Sequence, residues 1–500
     1  MPCRQGQATC QGLKPGARPA EEQASAAPTA RRCSTSRPAE VLVKIHTLLT
    51  PARALACCLF VLAVLLLQLR GTGGTEAPAG QGATPPSKRV TLLSSFSLQD
   101  SARYQEAFAA MERSTGIEVV IRAAGGDFAD HVFVATPGFE APDIAVFAQP
   151  GLFREMVAGG FIHPLPPDLA QTVVRDFPPF LDPLLRRGDQ HYGLWARVAI
   201  KSLVWYRRAL FEQHGLAVPR SDAELAALEQ QMIRKGLVPW CIGVAARGAT
   251  GWVGTDWVEE FMLRDAGPAA YDRWVAQELP FTAGPVRRAF ARWDRMVRTP
   301  GMTLGGPEGV LHTFVEEAAR KFAGQPAPCM MMRNSEWVTS EFPDSVHIGP
   351  GEQIDFFILP GRSESHVELL VAGDVAAPLN ARPETMEVLR YMASADFGRR
   401  RAAAGAYLSG HKDVEPASYV EPLAARLSAV WHEATVMRMD ASDLMPAVLG
   451  TAAFWTGMVD HLKGASVNDV TAGIDRTWRQ WRAQQAAPAA AAPASAAASR

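Results

Sequence analysis

Cysteine is scarce where the chain can fold. Of seven, Cys3, Cys10, Cys33, Cys57 and Cys58 precede residue 60, and only Cys241 and Cys329 follow. That spacing excludes a disulfide-built scaffold and paired C-x2-C zinc knuckles. An excess of one charge is also missing: Lys+Arg 50 against Asp+Glu 51 leaves a formal net charge of -1. A general nucleic-acid binder needs a basic surplus, and a solvating disordered chain needs a large net charge, so both classes fall away. No G-x-x-x-x-G-K-[ST], G-x-S-x-G or H-E-x-x-H is present, and the eleven His lack ligand spacing. No cofactor, no resident metal and no catalytic activity are therefore expected.

Long apolar runs are confined to one. ALACCLFVLAVLLLQL, residues 54–69, carries no charge and follows a basic lead-in with Lys44, His46 and Arg53. It is longer than most signal cores and shorter than the roughly 20 residues that span a bilayer. A cleaved signal peptide and a retained anchor both remain open, and both imply export to the periplasm. Residues 1–53 are poor in apolar periodicity and read as a disordered basic leader. Residues 70–88 read as a flexible linker of small residues and Pro, and residues 483–500 as a disordered Ala/Pro tail.

What remains is an alternation of short apolar strands and amphipathic helices. Strands are expected over 90–95, 117–122, 143–147, 202–206, 240–244, 355–359 and 369–371. Helices are expected over 100–114, 152–158, 221–235, 286–298, 383–395 and 422–433. Gly116 is placed to end the first helix in the left-handed conformation. Strand–helix–strand order with short turns means α/β layers with substantially parallel sheets, and nearly four hundred residues are too many for one core. Two lobes are the economical arrangement.

Tryptophan is the residue that stands out. Trp252 and Trp257 bracket Asp256 in GWVGTDWVEEF, Trp337 follows Arg333-Asn334-Ser335, and Trp455 opens a helix. Indole faces stack on the C–H face of a sugar while acids and amides hydrogen-bond its hydroxyl rim. Core packing competes for every one of these rings, most plainly at Trp455, where Met458, Val459 and Leu462 complete an apolar stripe. Asp256 and Glu259 are the nearest thing to a catalytic pair, as in a glycosidase. The same D-x-x-E pattern also reads as a capping box with Asp256 as the N-cap.

Six segments in order carry a resemblance: PDIAVFAQPGLFREMVAGGFIHPL (142–165), YGLWARVAIKSLVWYRRALFEQHGL (192–216), PWCIGVAARGATGWVGTDWVEEF (239–261), LLVAGDVAAPLN (369–380), SDLMPAVLGTAAFWTGMVDHLKG (442–464) and IDRTWRQW (474–481). From about Arg89 to Arg482 the chain resembles an extracellular solute-binding protein of an ABC importer, in the carbohydrate branch of maltose- and α-glucoside-binding proteins. The resemblance implies the two-lobed type II periplasmic-binding fold, with a mostly parallel sheet flanked by helices in each lobe and a hinged cleft between. The lobes would be 89–196 plus 356–412, and 197–355 plus 413–482.

It also implies capture of an α-glucoside or oligosaccharide by a monomer through domain closure, and delivery to permease subunits in the inner membrane. A membrane-tethered sugar sensor is the alternative, and a glycoside hydrolase the weaker one. Carried over, the cleft residues are Phe147, Gln149, Arg197, Trp252, Asp256, Trp257, Asn334, Trp337, Asp374 and Trp455. Cys241 and Cys329, flanking ligand segments of one lobe, are expected to form a disulfide. Val253-Gly254 and Arg333-Asn334-Ser335 depart from the family pattern where specificity is read, so the identity of the sugar stays open.

Overall fold

The computed structural model describes residues 88–124, 128, 141–361, 367–405 and 407–486. The expected leader, the apolar run 54–69, linker residues 70–87 and tail residues 487–500 lie outside the described residues. Among the described residues no helix is long and apolar enough to cross a membrane.

The chain enters through β1 (Arg89–Ser94), whose VTLLS run is buried throughout, as a strand covered on both faces must be. Helix α1 (Leu98–Thr115) follows. The Ser97 hydroxyl accepts the Asp100 N–H at its start, and Gly116 ends it at φ 69°. Tyr104, Ala107, Phe108 and Met111, spaced at helical period, face the core. β2 (Glu118–Ala123) and β3 (Ile144–Phe147) pair with β1 on either side, both parallel to it. Helix α2 (Pro150–Ala158) follows β3.

β4 (Leu194–Ile200) leaves this layer directly for β5 (Leu203–Arg207), with only Lys201 and Ser202 between. β5 is the middle strand of a second sheet, flanked by β6 (Met331–Arg333) and β7 (Ile354–Ile358). Both of its ladders are antiparallel. Among the described residues, the parallel pairing expected in the second lobe is reduced to isolated bridges: Trp240 with Thr303 and Met331, Ala245 with Phe314, and Ile348 with Ile354. Residues 240–244 accordingly form no strand, although the Cys241 N–H donates to the Met331 carbonyl.

The return strand β8 is far longer than the expected 369–371: it runs Glu368–Pro378 through the middle of the first sheet. It pairs in parallel with β9 (Val436–Met439) and antiparallel with both β3 and β4. Its register against β4 slips between Asp374 and Val375, a bulge that re-aims the neighbouring side chains. A Cβ on Gly373 would lie 2.8 Å from the Arg197 carbonyl oxygen and 2.9 Å from the Trp195 ring, so glycine permits this close approach.

Two hydrophobic cores result. β5 serves both, because its side chains alternate: Leu203 and Trp205 enter the first, Val204 and Tyr206 the second. The second core is walled by helix α3 (Trp252–Ala266) and the helix Gly284–Arg298, with Trp257, Trp274, Trp293 and Phe454 inside it. After β9 come the short α4 (Ala441–Leu444), a π-helical stretch Val448–Phe454, α5 (Trp455–Leu462) and α6 (Val467–Ala486).

Two expected boundaries move. The helix expected over 383–395 breaks at Met392, because Ser394 caps a new helix, Ala395–Ala403. Residues 483–486, expected to begin the disordered tail, continue α6. Cys241 and Cys329 are joined, Cα to Cα 5.5 Å, and both are buried.

Candidate ligand-binding site

Two ion clusters and three indoles gather around the Ile200–Leu203 crossover. The first cluster lies on the β4/β8 face. Arg197 and Asp374 stand opposite each other on paired strands, and Arg197 Nε donates to Asp374 Oδ2 at 2.5 Å. Arg197 Nη1 donates to Asp100 Oδ2 at 3.1 Å, and Arg401 Nη2 donates to Asp100 Oδ1 at 3.0 Å. The chain Asp374–Arg197–Asp100–Arg401 thus alternates in sign and sums to zero. Arg197 lies 5.2 Å from the Phe96 ring centre, and Arg401 lies over Tyr104 and Tyr407. Burial raises the Asp374 carboxyl pKa, and Arg197 works against that rise.

The second cluster is centred on Lys201. Its ammonium is 3.0 Å from Asp256 Oδ1, in very short contact with Asp440 Oδ2, and 3.7 Å from Asp443 Oδ2. Arg333 Nη2 donates to Asp256 Oδ2 at 3.1 Å, and its Nη1 donates to the Lys201 carbonyl at 2.9 Å. Glu259 accepts the backbone N–H groups of Ala441 and Ser442 at 2.9 and 3.1 Å. Glu260 pairs with Arg264 and Arg333.

Burial pushes the Asp256 carboxyl up to about 7 against the pull of Lys201, and Asp440 adds to the rise. Burial also lifts Asp443 well above the carboxylate range, with Asp440 acting the same way and Lys201 opposing. At Asp440 burial is outweighed: the ammonium and its hydrogen bonds hold the carboxyl down at about 2. Asp256, Glu259 and Asp440 bring carboxylate oxygens within 4.8 Å of one another, the donor set a cation would use. The Lys201 ammonium already meets two of these acids, and the third gives its oxygens to backbone N–H groups. The protein's own cation fills that role.

The indoles close the site. Trp252 is the first residue of α3, whose N-cap is Gly251 at φ 114°. A Cβ on Gly251 would sit 2.3 Å from the Trp455 carbonyl oxygen, so glycine lets α3 begin directly against α5. The Trp252 ring centre is 5.2 Å from Lys201 Nζ and 6.3 Å from the Trp337 ring centre, at 48°. Both rings are half-buried. Trp455 is 8% exposed, and its Nε1 donates to Ser442 Oγ at 3.4 Å. Ser442 Oγ also lies 3.2 Å from Thr255 Oγ1.

Of the residues named from sequence, Trp252, Trp337, Trp455, Arg197 and Asp374 converge here, and Asp256 lies at the cluster's buried base. Asp256 is no helix cap: α3 starts four residues earlier, so Asp256 and Glu259 are interior positions, the first meeting Lys201 and the second the backbone N–H groups of Ala441 and Ser442. Trp257 lies in the second core, its ring centre 5.0 Å from that of Trp240 and 4.9 Å from the Arg333 guanidinium. Phe147 lies in the first core between Phe128 and Phe153. Neither ring has surface for a ligand in this conformation. Gln149 is the half-buried residue preceding α2. Asn334 is buried; its Oδ1 accepts the Ser335 N–H and its carbonyl the Trp205 indole N–H.

Nothing in the sequence pattern marks Lys201, Asp440, Asp443 or Asp100 on first reading. Asp440 and Asp443 form a D-x-x-D helix start, in which Asp440 Oδ1 accepts the Asp443 N–H, and that spacing was the available signal. A cavity of about 1050 Å3 lies elsewhere, walled by α2, Leu184–Arg187, Tyr271–Gln277 and Trp481, and no residue of the two clusters lines it. Volume alone therefore points away from the place where acids, cations and indoles meet, and their convergence is the stronger guide.

Comparison with known proteins fits this architecture. Residues 96–396 match the model of the bacterial extracellular solute-binding protein family. The osmoprotective compounds-binding protein GgtB of Synechocystis sp. is 35% identical over 425 residues, 84% of this chain and 99% of that protein. The alpha-glucosides-binding periplasmic protein AglE of Rhizobium meliloti is 31% identical over 399 residues, 78% and 86% of the two chains. Among solved structures, the bacterial solute receptor AcbH superposes with a TM-score of 0.67 at 15% identity, covering 80% of this chain and 99% of that one. Maltose-bound MalE3 of T. maritima gives 0.59 at 16%, covering 79% and 99%. At such identities these two likenesses speak to the fold, which is that of the two-lobed type II binding proteins. Family match and relatives agree: the chain belongs to the bacterial extracellular solute-binding proteins.

Proposed function

We propose that this protein is the receptor of an ABC importer, and that it holds a neutral glycoside, an α-glucoside or a glycosidic osmoprotectant, where the two ion clusters meet the indoles. The observation that carries the reading is the pair Trp252 and Trp337: two half-buried rings set beside acids already neutralised in part by fixed cations. Such rings offer a face to sugar C–H groups, while Arg197, Asp374 and Lys201 offer directional partners to hydroxyls. Binding across the crossover stabilises the closed arrangement of the lobes, and the closed receptor is what a permease would recognise. The names of GgtB and AglE support this ligand range, and an extracellular family implies an exported protein.

A hydrolase built on Asp256 and Glu259 is disfavoured by their bonding. Both oxygens of Asp256 meet cations, and both oxygens of Glu259 accept backbone N–H groups. Neither carboxyl is free to hand a proton to a leaving group. The test is a thermal-shift and calorimetric panel on the full chain with α-glucosides, polyols and neutral or zwitterionic osmoprotectants. A micromolar ligand at a hundred times its Kd adds about 2.7 kcal/mol to stability. Trp252→Ala is expected to weaken binding of that ligand by at least about tenfold, from the stacking it removes. A folded protein indifferent to the whole panel overturns the reading.

A further inference from the structure

We propose that Asp443 is a specificity-determining residue of the site: its carboxylate is the acceptor that a pair of neighbouring ligand hydroxyls completes. The inference rests on the carbohydrate reading above and deepens it.

Asp256 is met by Lys201 and Arg333, Glu259 by two backbone N–H groups, and Glu260 by two arginines. Asp440 takes Lys201, the Ser442 hydroxyl and the Asp443 N–H. Across the crossover, Asp374 takes Arg197. Asp443 alone among these acids receives no hydrogen bond from the described residues. Its one ionic neighbour, Lys201 Nζ, stands 3.7 Å off and is already engaged by two other carboxylates. Yet Asp443 is only 8% exposed, so bulk water cannot replace the missing donors in full. A carboxylate held in such a place, beside the like charges of Asp440 and Asp256, works against the stability of the ligand-free protein.

The surroundings select what completes it. Asp443 adjoins Ser442, which receives the Trp455 indole N–H, and the electrostatic influences of Asp374 and Lys201 both reach it. Two adjacent O–H donors on a ligand favour the ionised form of this carboxyl, whose two oxygens, held side by side, then accept both. A cationic ligand is the less suitable occupant. Lys201 already supplies a positive charge 5.2 Å from the Trp252 ring centre, so a second cation stacked there would meet its repulsion. An anionic ligand would meet Asp443 and Asp374 themselves. A neutral polyol meets neither objection.

The test compares Asp443→Asn with the wild-type full chain, using maltose, sucrose and trehalose as probes, followed by monodeoxy analogues of whichever binds. Asparagine keeps the shape, removes the buried acid and offers the neighbouring acids a donor. The ligand-free melting temperature is therefore expected to hold or rise, while affinity for the binding probe falls about 10- to 100-fold, the worth of charge-assisted hydrogen bonds. In the variant, the deoxy analogue lacking the hydroxyl that Asp443 reads is expected to bind no worse than its parent.

A merely structural role lowers melting temperature and affinity together and overturns the inference. Equal probe affinity in the two proteins overturns it too, while leaving the carbohydrate reading intact. A wild-type protein that binds none of the three probes removes the sugar reading for them and this inference with it.

Discussion

Removing the Lys201 ammonium is the sharpest test of how the site is held together. In Lys201→Met the aliphatic stem is kept and the charge lost, which leaves Asp256, Asp440 and Asp443 without the cation they share. Arg333 still meets Asp256, and Ser442 with the Asp443 N–H still meets Asp440. The loss is therefore that of one partner in a buried ion group, about 3–5 kcal/mol. Unfolding roughly 400 ordered residues releases about 0.8 kcal/mol per kelvin, so the melting temperature is expected to fall by about 4–6 °C.

The sign of the pH dependence is fixed by the same geometry. The Asp256 and Asp443 carboxyls are already raised by burial, and without the ammonium they rise further. At pH 5 the variant protonates them at little cost and escapes most of the penalty; at pH 8 the same protonation costs more and more of the penalty remains. Calorimetry of both proteins at the two pH values is the assay. A deficit as large at pH 5 as at pH 8, or no deficit at either, would refute the account of Lys201 as the counter-ion of these acids.

Two further outcomes are expected. The Cys241–Cys329 bridge closes a segment with a sequence separation of 88, so replacing both cysteines by Ala should lower stability by about 4–5 kcal/mol on the chain-entropy account. Calorimetry that finds the two proteins equally stable excludes that contribution. Glu336 is a second buried acid: burial lifts its carboxyl to about 7, although its side chain accepts the Ile200 N–H at 3.2 Å. A raised carboxyl means that the folded state holds a proton the unfolded state has lost, so stability drains away as pH climbs from about 4.5 to 7. Glu336→Gln should match the wild type near pH 4 and exceed it by about 3 kcal/mol at pH 8; parallel stability curves would contradict this.

Much of the layer order could be read from local signals, because those signals and the fold agree there. The Ser97 cap, the apolar stripe of α1 and Gly116 are consecutive instructions in one short stretch, and the structure follows each of them. β8 shows where such reading stops. Its sequence ELLVAGDVAAP looks like a three-residue strand interrupted by Gly373 and Asp374. Three different strands pair along it, and that tertiary demand carries it past the glycine. The direction of the second sheet, antiparallel where parallel pairing is expected, is hidden from the sequence for a related reason. Whether β5 runs with or against its neighbours depends on β6 and β7, which lie more than a hundred residues further along the chain.

The site divides along the same line. Trp252, Trp337 and Trp455 could be nominated because an indole is rare enough to be noticed, but nothing local separates them from Trp257. Trp252 opens α3 against the Trp455 backbone and keeps part of its ring exposed. Trp257 lies one and a half turns later on the same helix and points into the second core beside Trp240. Lys201 could not be nominated at all: in sequence it is one lysine among fifty basic residues. Its importance arises only because the crossover carries it to acids 55 and 239 residues away. In a receptor whose ligand is held between lobes, the decisive groups are those on the crossings, and crossings are what a linear pattern cannot display. An acid left without a donor at such a place marks where a ligand can complete the structure, and on the proposed reading that acid, Asp443, says more about specificity than the indole rings beside it.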